Sequence, residues 1–456
     1  MRHMSLREIA TACGGTYFGD ATLLNREAAG VAIDSRKIEK DYLFVPIKGT
    51  RVDGHDFIDR VMEVGALCTL SERELSVDHP YILVDSCEQA LKDLARHYRM
   101  ALGIKVVGIT GSVGKTSTKE MIASVLSQKY QVLKTAGNFN NEIGLPLTIF
   151  NIRENHEVAV LEMGINHFDE MHRLADVARP DICVITNIGI CHLENLIDRD
   201  GILRAKTEMF DHLADNACVI LNGDDDKLIT VQNVQGKAPH FFGLQKDFDA
   251  YATDIQSMSL RGTACVIHMG EEQVSVSIPI PGEHMVYNAL AGALVGRELG
   301  LTLQEIKAGI EALVPVSGRN NLIATDSLLI IDDCYNANPV SVKASLDVLA
   351  TADTRQVAIL GDMFELGEDE KSLHAECGRH AAEKGISVII CIGALSEHTA
   401  NAARESSAEQ VYHFATKQAF FAQAPNIIKK NDTVLVKASH GMAFPEIVDY
   451  LKGITR

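Results

Sequence analysis

The stretch VVGITGSVGKTSTKE, residues 106–120, decides which fold this chain adopts. It runs from an apolar, strand-like segment through a loop with Gly108, Gly111 and Gly114 into a helical pattern. Glycines in such a loop let backbone N–H groups point at phosphate oxygens, and the helix N-terminus adds roughly half a positive charge. The common phosphate-loop pattern requires a glycine where this chain has Ile109. The stretch therefore indicates a nucleotide site with a different spacing.

A nucleoside triphosphate site needs a cation, a metal-binding hydroxyl and a carboxylate, and the sequence offers a candidate for each. Lys115 would contact the β- and γ-phosphates, and the Thr116 hydroxyl would bind Mg²⁺. Glu162 follows the apolar run VAVL of a predicted strand. The structural alternatives are a glycine-rich turn with a solvent-facing lysine and an ordinary acidic residue at a strand end. His192 follows another predicted strand, but Mg²⁺ prefers oxygen ligands, so spacing alone does not make this histidine a ligand.

The composition is that of a soluble protein with about two to four domains. Of 456 residues, 46% are hydrophobic and 23% charged, and no apolar run is long enough to span a membrane. The start MRHMSLREIA lacks the apolar core of a signal peptide, so we expect a cytoplasmic protein. Ten cysteines without a C-x-x-C pair indicate reduced thiols. The net charge of −18 disfavours nucleic acid and anionic membranes as partners.

The order of predicted strands and helices divides the chain into three blocks, about 1–100, 101–315 and 316–456. The first block mixes short strands with helices. In the second block strands alternate with helices, which predicts a parallel sheet with helices on its faces, and short β-rich pieces near 250–280 predict a hairpin-type insertion. The third block repeats strand-then-helix units. The segments behind these predictions are, as helices, LREIATACGG and CEQALKDLARHYRMALG, and, as strands, YLFVPIKG, YILVD, IKVVGIT, EVAVLEM, DICVITNIG, ACVILNGDD, LLIIDDCYNANP, QVAILGDMFELG, SVIICIGA and DTVLVKASHG.

Polar residues follow three predicted strands of the third block. They are Asp333, Asp362 and Ser439. In open α/β sheets, ligands bind outside the carboxyl ends of the strands. The third block is therefore expected to contribute to a binding site.

A family resemblance accounts for the unusual loop. Residues 110–116 have the spacing T-G-x-x-G-K-[ST], which resembles the loop of the Mur ligases, ATP-dependent amide-forming enzymes of peptidoglycan precursor synthesis. The resemblance covers nearly the whole chain. Further matching segments are TAGNFNNEIGLPL, LEMG, TNIGICHLEN, LRAKTEMF, LNGDD, GEHMVYNALAG, PVSGRNN and DDCYNANPVSVKASL.

The resemblance implies an α/β fold of three domains. Residues 1–100 would form a small mixed α/β UDP-binding domain, 101–315 a central P-loop ATPase domain with a parallel sheet, and 316–456 a Rossmann-like domain that binds ATP and dipeptide. The segments DCYNANP and GDMFELG resemble the family members that add D-alanyl-D-alanine to UDP-N-acetylmuramoyl-tripeptide. The alternatives are a relative that adds a single amino acid and, from another class, a GTPase-type switch, although the chain has no [NT]-K-x-D segment for guanine.

The activity implied by the resemblance is amide formation through an acyl phosphate made from ATP. Catalytic positions that match the family are Lys115, Glu162, His192, Lys206 and Arg319. Magnesium, as two ions, would be held by Thr116, Glu162, His192 and Lys206. Lys206 matches a lysine that carries a carbamate in this family; a free lysine has a pKa of about 10.4, and the carbamate would turn this cation into an oxygen ligand. The alternatives are a helix-surface lysine at 206 and a surface salt bridge for Arg319.

Further binding positions follow from the same resemblance. Asn138 and Asn141 are both candidates for contacts with adenine, Asp333 is expected to bind ribose, and Asn288 has a helix N-cap as its alternative role. The ATP-site positions are Thr110, Gly111, Ser112, Val113, Gly114, Lys115, Thr116, Ser117, Asn138, Asn141, His284, Asn288, Arg319, Asp333, Tyr335 and Asn338. The UDP-substrate positions are Ser35, Arg36, Lys48, Asp53, Gly54 and His55, with a capped turn and surface charges as the alternative.

One position departs from the family pattern. The segment KASHGM at 437–442 has His440 where many relatives have arginine, which leaves the role of this position open. The expected partners are the two small-molecule substrates, and the chain is expected to be a monomer.

Overall fold

The computed structural model describes residues 4–76 and 79–454. The chain forms two compact α/β units, which we call the first unit and the second unit. The first unit comprises Met1–Thr110, Lys129–Val184 and Lys206–Val219, and the second comprises Gly111–Gln128, Ile185–Ala205 and Ile220–Arg456.

Five short strands form the N-terminal sheet of the first unit, accompanied by three helices. The strands are β1 (Thr16–Phe18), β2 (Gly30–Ala32), β3 (Tyr42–Phe44), β4 (Cys68–Ser71) and β5 (Tyr81–Leu83), and the helices are α1 (Leu6–Ala12), α2 (Ile58–Val64) and α3 (Cys87–Leu102). The strand order is β1-β5-β4-β3-β2, with β1 antiparallel to β5 and the other pairs parallel. Because β2 and β3 are parallel, the loops after them leave from the same edge.

The helix predictions for this region are confirmed, and local sequence explains where the helices begin. Ser5 and Glu8 form a capping box at the start of α1, and the Ser86 side chain caps α3. Leu6, Ile9 and Ala10 of α1 are buried.

Four strands of near-continuous apolar sequence form the second sheet region of the first unit. They are β6 (Lys105–Thr110), β7 (Val132–Lys134), β8 (Val158–Glu162) and β9 (Ile182–Ile185), in the order β9-β6-β8-β7, with helices α5 (Gly144–Ile149) and α6 (Glu170–Ala178). Strand β8 is parallel to β6 and β7, and Glu162 pairs in register with Ile109. The parallel pairing therefore places Glu162 at the same sheet edge as Thr110.

The second unit contains the helix that follows the glycine loop and an antiparallel region. Its elements up to residue 311 are α4 (Lys115–Leu126), α7 (Leu193–Leu196), α8 (Arg199–Thr207), β10 (Cys218–Asn222), β11 (His240–Gly243), β12 (Ala250–Ser257), β13 (Thr263–Met269), β14 (Glu272–Ile278), α9 (His284–Glu298) and α10 (Leu303–Glu311). Strands β12, β13 and β14 pair antiparallel, which confirms the predicted hairpin-type insertion.

The C-terminal part of the second unit is an open sheet with helices. Its strands are β15 (Asn321–Ala324), β16 (Leu329–Asp332), β17 (Gln356–Gly361), β18 (Val388–Ile392), β19 (Val411–Phe414) and β20 (Thr433–Lys437), and its helices are α11 (Pro339–Leu349), α12 (Glu370–Glu383), α13 (Ser396–Glu405), α14 (Lys417–Ile427) and α15 (Pro445–Lys452). The strand order is β15-β16-β20-β17-β18-β19, and only the β15 pair is antiparallel among these neighbours. The ends of β16, β20 and β17, followed by Asp333, Ala438-Ser439 and Asp362, are thus adjacent.

All ten cysteines are free thiols, in agreement with the prediction from their spacing. Burial raises the pKa of Cys391 and of Cys377 to about 12, so these thiols stay protonated near neutral pH. Within the described ranges, none of the helices has the length and apolar composition needed to cross a membrane.

Candidate active site

The glycine loop lies between β6 and α4 and has a backbone that only glycine permits at one position. Gly111 has φ +147°, and a Cβ built on it would lie 1.9 Å from the Thr186 hydroxyl oxygen. Gly114 has φ +84° and precedes the first residue of α4. The loop therefore packs tightly against Thr186, and helix α4 begins directly after it, at Lys115.

The segment Thr186-Asn187 braces the loop. The Val113 N–H donates to Asn187 Oδ1 (2.9 Å) and the Ser112 N–H to the Asn187 carbonyl (3.0 Å). In return, the Thr186 hydroxyl (2.6 Å) and Asn187 Nδ2 (2.9 Å) donate to the Val113 carbonyl. These four hydrogen bonds fix the loop before any ligand binds. Sequence analysis did not assign this role; the available signal was the TN pair directly after an apolar strand.

The predicted phosphate-binding side chains of the second unit come together. Lys115 Nζ donates to the Gly111 carbonyl (2.8 Å), so the lysine folds back over the loop. Arg319 donates to the Thr116 hydroxyl (3.0 Å), and its guanidinium carbon lies 4.1 Å from the centre of the Tyr335 ring. Among the residues that the structure describes, the side chain of Arg319 thus contacts a hydroxyl and an aromatic ring, and it forms no ion pair with a carboxylate. A pocket in this region is lined by Thr116, Ser117, Glu120, Ile280, Met285, Leu313, Val314, Val316 and Arg319.

Asn288 is buried inside helix α9 and contacts helix α4. Its Oδ1 accepts a hydrogen bond from the Thr118 hydroxyl (2.8 Å). Because α9 begins at His284, Asn288 lies one turn inside the helix, and the alternative of an N-terminal cap is wrong. His284 itself is exposed at the start of the helix.

In the first unit, Glu162 is a buried carboxylate held by an asparagine. Only 2% of its surface is exposed, its Oε1 accepts a hydrogen bond from Asn140 Nδ2 (2.9 Å), and its backbone N–H donates to the Thr135 hydroxyl (3.0 Å). An ordinary acidic residue at a strand end would be solvated. The sequence did not indicate a role for Asn140, although this residue lies between the two predicted adenine-binding candidates, Asn138 and Asn141.

Lys206 is also buried, with 1% of its surface exposed on α8. The alternative of a helix-surface lysine is therefore wrong. Burying an ammonium group is costly unless it is paired or chemically changed. The family resemblance by itself did not predict that Lys206 is buried.

His192 lies in the second unit in a left-handed backbone conformation (φ +51°), directly before α7. Its Nδ1 is 2.7 Å from the Glu365 carboxylate. A carboxylate on Nδ1 favours the tautomer in which Nε2 is the unprotonated nitrogen.

The two adenine candidates have different surroundings. Asn141 Oδ1 accepts the N–H groups of Ile143 (3.3 Å) and Gly144 (2.8 Å), so it caps the start of α5. Asn138 is exposed. The side-chain oxygen of Asn141 is thus committed to the turn, which makes Asn138 the better candidate of the two.

Asp333 joins three separate segments of the C-terminal sheet. Its Oδ1 accepts the Asn320 N–H (3.0 Å), and its Oδ2 accepts the Ser345 hydroxyl (2.6 Å) and the Lys437 ammonium (2.5 Å). An ionised carboxylate accepts about four hydrogen bonds, so one position remains for a further donor. Lys437, 3% exposed, also donates to the Asn336 carbonyl (3.2 Å); sequence analysis did not identify this lysine.

Other predicted residues at these strand ends support loops. Asn338 Oδ1 caps α11 through the Ser341 N–H (2.8 Å). Asp362 accepts the N–H groups of Ala394 (3.1 Å) and Ser396 (2.7 Å). The rings of Tyr335 and His440 lie 5.4 Å apart, so His440 borders the same region as Arg319.

The predicted UDP-substrate residues lie in two loops that leave adjacent parallel strands. Asp34 caps the turn Ser35–Lys37 and receives both Arg36 guanidinium hydrogen bonds (2.9 and 2.8 Å), which lower the pKa of Asp34 to about 2. In this structure Arg36 thus has the contacts of a capped turn, the alternative that its sequence left open.

The second of these loops is organised by Asp53 and His55. The backbones of Lys48 and Asp53 pair in an isolated antiparallel β-bridge, and a Cβ on Gly54 would lie 2.7 Å from the Ile47 nitrogen. His55 Nδ1 contacts Asp53 (2.7 Å), and its Nε2 accepts the Glu72 N–H (3.1 Å). His55 therefore holds the loop in shape through both ring nitrogens.

Comparison with known proteins identifies the family. Three models match: the Mur ligase family catalytic domain at residues 27–99, the Mur ligase middle domain at 109–296, and the Mur ligase glutamate ligase domain at 318–440. The chain belongs to the Mur ligase family, and it has the three-domain fold of that family.

The more particular similarity is to one branch of these ligases. The chain is 39% identical to UDP-N-acetylmuramoyl-tripeptide–D-alanyl-D-alanine ligase of Bacillus subtilis (strain 168), over 92% of both chains. It superimposes on MurF from Acinetobacter baumannii with a TM-score of 0.91 at 30% identity, covering 99% of each chain. It also matches MurF ligase from Thermotoga maritima in complex with ADP, with a TM-score of 0.83 at 30% identity over 93% of this chain and 97% of that one.

Proposed function

We propose that this ligase joins D-alanyl-D-alanine to UDP-N-acetylmuramoyl-tripeptide with ATP, as a cytoplasmic step of peptidoglycan precursor synthesis. The observation that carries the proposal is the similarity to the Bacillus subtilis enzyme of that name over 92% of both chains. The glycine loop supports the use of ATP, because it leads into the N-terminus of α4 and the first residue of that helix, Lys115, folds back over it.

The reaction consists of two transfers. A carboxylate oxygen of the tripeptide attacks the γ-phosphorus of ATP, the bond to the β-phosphate oxygen breaks, and ADP leaves. The amine of the dipeptide then attacks the carbonyl carbon of the acyl phosphate, phosphate leaves with the bonding electrons, and the amine loses its proton. The like charges of carboxylate and triphosphate oppose the first step, so the protein must supply cations.

Lys115 and Arg319 are the proposed cations for the phosphates. Both are located at the N-terminal turn of α4: Lys115 begins the helix, and Arg319 contacts the hydroxyl of its second residue. The buried hydroxyl oxygen of Thr110 has no hydrogen-bond partner within the described part of the chain. An unsatisfied donor beside the loop fits a ligand with many acceptor oxygens.

The residues proposed to hold Mg²⁺ are Thr116, Glu162, His192 and Lys206, the last as its carbamate. Glu162 is preoriented by Asn140, and a buried carboxylate suits a hard cation. Bound Mg²⁺, as two ions, would neutralise charge on the phosphates. Modification of Lys206, which is 1% exposed, would replace a buried cation by an anion able to bind metal.

The domain limits and substrate loops are part of the proposal. The matched segments 27–99, 109–296 and 318–440 fall within domains at 1–100, 101–315 and 316–456. The loops with Ser35, Arg36 and Lys48, Asp53, Gly54, His55 would bind the UDP moiety, and Asn138, Asp333 and Tyr335 would contact the nucleoside of ATP. We propose a monomer, which size-exclusion chromatography with light scattering would test.

A substrate panel tests the function. Purified protein with ATP and Mg²⁺ is given UDP-N-acetylmuramoyl-tripeptide, with lysine or diaminopimelate as the third residue, together with D-alanyl-D-alanine or single amino acids. Mass spectrometry should detect a UDP-linked pentapeptide, and phosphate release should require both substrates. Product formation only with a single amino acid would instead favour the alternative branch, and substrate-independent hydrolysis would favour a switch.

A further inference from the structure

Two histidines of the first unit share a contact that neither the proposed reaction nor the family comparison uses. His172 lies on α6, and His212 ends the 3₁₀ turn Glu208–His212. Their Nε2 atoms are 3.1 Å apart. The ring centres are 4.3 Å apart with an interplanar angle of 66°, so the rings diverge from the nitrogen pair. Two imidazole nitrogens from elements that are distant in sequence therefore lie next to each other.

Each of these imidazoles has a carboxylate near its other nitrogen. His172 Nδ1 is 2.9 Å from Asp211 Oδ2, and His212 Nδ1 is 3.6 Å from Asp176 Oδ1. Metal-binding histidines commonly donate their second N–H to a carboxylate, which fixes the tautomer and raises the basicity of the ligand nitrogen. The arrangement has this form at His172, whereas the 3.6 Å between His212 and Asp176 is too long for a hydrogen bond.

We propose that His172 and His212 bind one divalent transition-metal ion of the Ni²⁺, Cu²⁺ or Zn²⁺ class through their Nε2 atoms, with water completing the coordination. Metal–imidazole bonds of about 2.0–2.1 Å in tetrahedral geometry separate two ligand nitrogens by about 3.3 Å. The two Nε2 atoms, which are 3.1 Å apart, would thus need to move only slightly further from each other. Imidazole suits these metals, whereas Mg²⁺ prefers oxygen, so the site should discriminate against Mg²⁺.

Metal binding requires His212 to change its tautomer, but neither neutral ring has to lose a proton. Asp211 favours a proton on Nδ1 of His172, so His212 donates its Nε2–H to His172 in the metal-free pair. When metal binds, the proton of His212 moves to Nδ1, which faces Asp176.

The ion would connect α6 to the segment that directly follows Lys206 and Thr207. The turn Glu208–His212 already contacts α6, since Glu208 Oε1 accepts the Asp169 N–H (3.1 Å) at the start of that helix. A metal held from both sides would stabilise the first unit by mass action, because the unfolded chain does not hold the two rings together.

The test titrates Ni²⁺ into tag-free protein by calorimetry, with excess Mg²⁺ present. His172→Ala and His212→Ala should each weaken the tightest Ni²⁺ site by at least about tenfold. The control is His167→Ala, which removes an exposed histidine of the same unit that also contacts a carboxylate, Glu170 (3.2 Å). Equal Ni²⁺ affinity in wild type and both alanine variants would overturn the proposal.

A second measurement guards against misfolded variants. Ni²⁺ should raise the thermal midpoint of wild type and His167→Ala, but not that of His172→Gln or His212→Gln, which retain polar side chains. A midpoint that rises equally in the glutamine variants would also refute the assignment. Loss of the Ni²⁺ shift in both, with metal-free midpoints close to wild type, would support it.

Discussion

At the residue scale, two of the charged groups proposed for catalysis, Glu162 and Lys206, are buried. Glu162 and Lys206 are each at most 2% exposed, and Asn140 holds the Glu162 carboxylate. The apolar run before Glu162 accounts for its burial, but its partner Asn140 comes from a loop 22 residues away. Two substitutions test these roles separately.

Asn140→Ala removes the hydrogen bond to Glu162 Oε1 and should raise the Mg²⁺ concentration for half-maximal activity by about tenfold. The maximal rate at saturating Mg²⁺ should change less, since the carboxylate itself remains. Binding of Mn²⁺ followed by electron paramagnetic resonance should weaken in parallel. Asn151→Ala, which alters an exposed asparagine bonded to the Leu147 carbonyl (3.0 Å), is the matched control. An unchanged metal dependence in Asn140→Ala would contradict the positioning role.

Lys206→Ala should lower activity by more than about 100-fold, because it removes the proposed carbamate ligand. Short carboxylic acids should restore part of the activity by placing an oxygen donor in the space left. Arg204→Ala, an exposed change on the same helix, should remain active and should not respond to these acids. In wild type, ¹³C-labelled CO₂ should give a carbamate resonance that Lys206→Ala lacks; its presence in both proteins would contradict the modification of this lysine.

At the scale of elements, the glycine loop depends on the segment after β9. The loop connects strand β6 to helix α4. Thr186 and Asn187 hold its peptide groups through hydrogen bonds to Ser112 and Val113. The strand–loop–helix order was predictable because apolar periodicity and glycines are local signals. The bracing was not, because its donors and acceptors lie more than 70 residues apart.

Gly111→Ala should disrupt this loop. The added Cβ would lie 1.9 Å from the Thr186 hydroxyl oxygen, so either the loop or Thr186 must move. Residue 111 also has a φ that alanine rarely adopts. A displacement of about 1 Å should reduce kcat/KM for ATP by about 100-fold. Gly189→Ala is the control, since its Cβ would make only an ordinary contact, 3.5 Å from the Ser112 Cβ. Steady-state kinetics that do not distinguish the two variants would show that the close approach is unimportant.

At the scale of the whole molecule, buried histidines make stability depend on pH. His374 accepts the Met363 N–H at Nε2 (2.9 Å) and contacts the Glu370 carbonyl at Nδ1 (2.6 Å), an arrangement that requires a neutral ring. Burial lowers the pKa of His374 and the pKa of His212. An unfolded histidine has a pKa of about 6.5, so below that pH the unfolded chain binds more protons than the folded one.

Stability should therefore fall as the pH is lowered through about 6.5 toward the depressed folded pKa values. The urea midpoint at constant ionic strength should be lower at about pH 5.5 than at about pH 7.5. His374→Gln should be less stable at both pH values but should show a smaller difference between them. A midpoint that is the same at the two pH values would count against this account.

Much of the architecture was determined by the sequence itself. Apolar strand runs, the glycine loop, the caps at Ser5 and Ser86, and the turn to antiparallel strands near residue 250 are all encoded within short stretches. Such features depend on side-chain periodicity and backbone freedom, which are properties of neighbouring residues. The family resemblance added the candidate residues.

Only the tertiary structure decided how these residues are used. It buried Lys206, placed Asn288 within a helix, committed Asn141 to a cap, and connected Asp333 to Lys437. It also brought His172 and His212 together. Burial and hydrogen-bond partners depend on which segments pack against each other, and those segments are tens of residues apart in the chain.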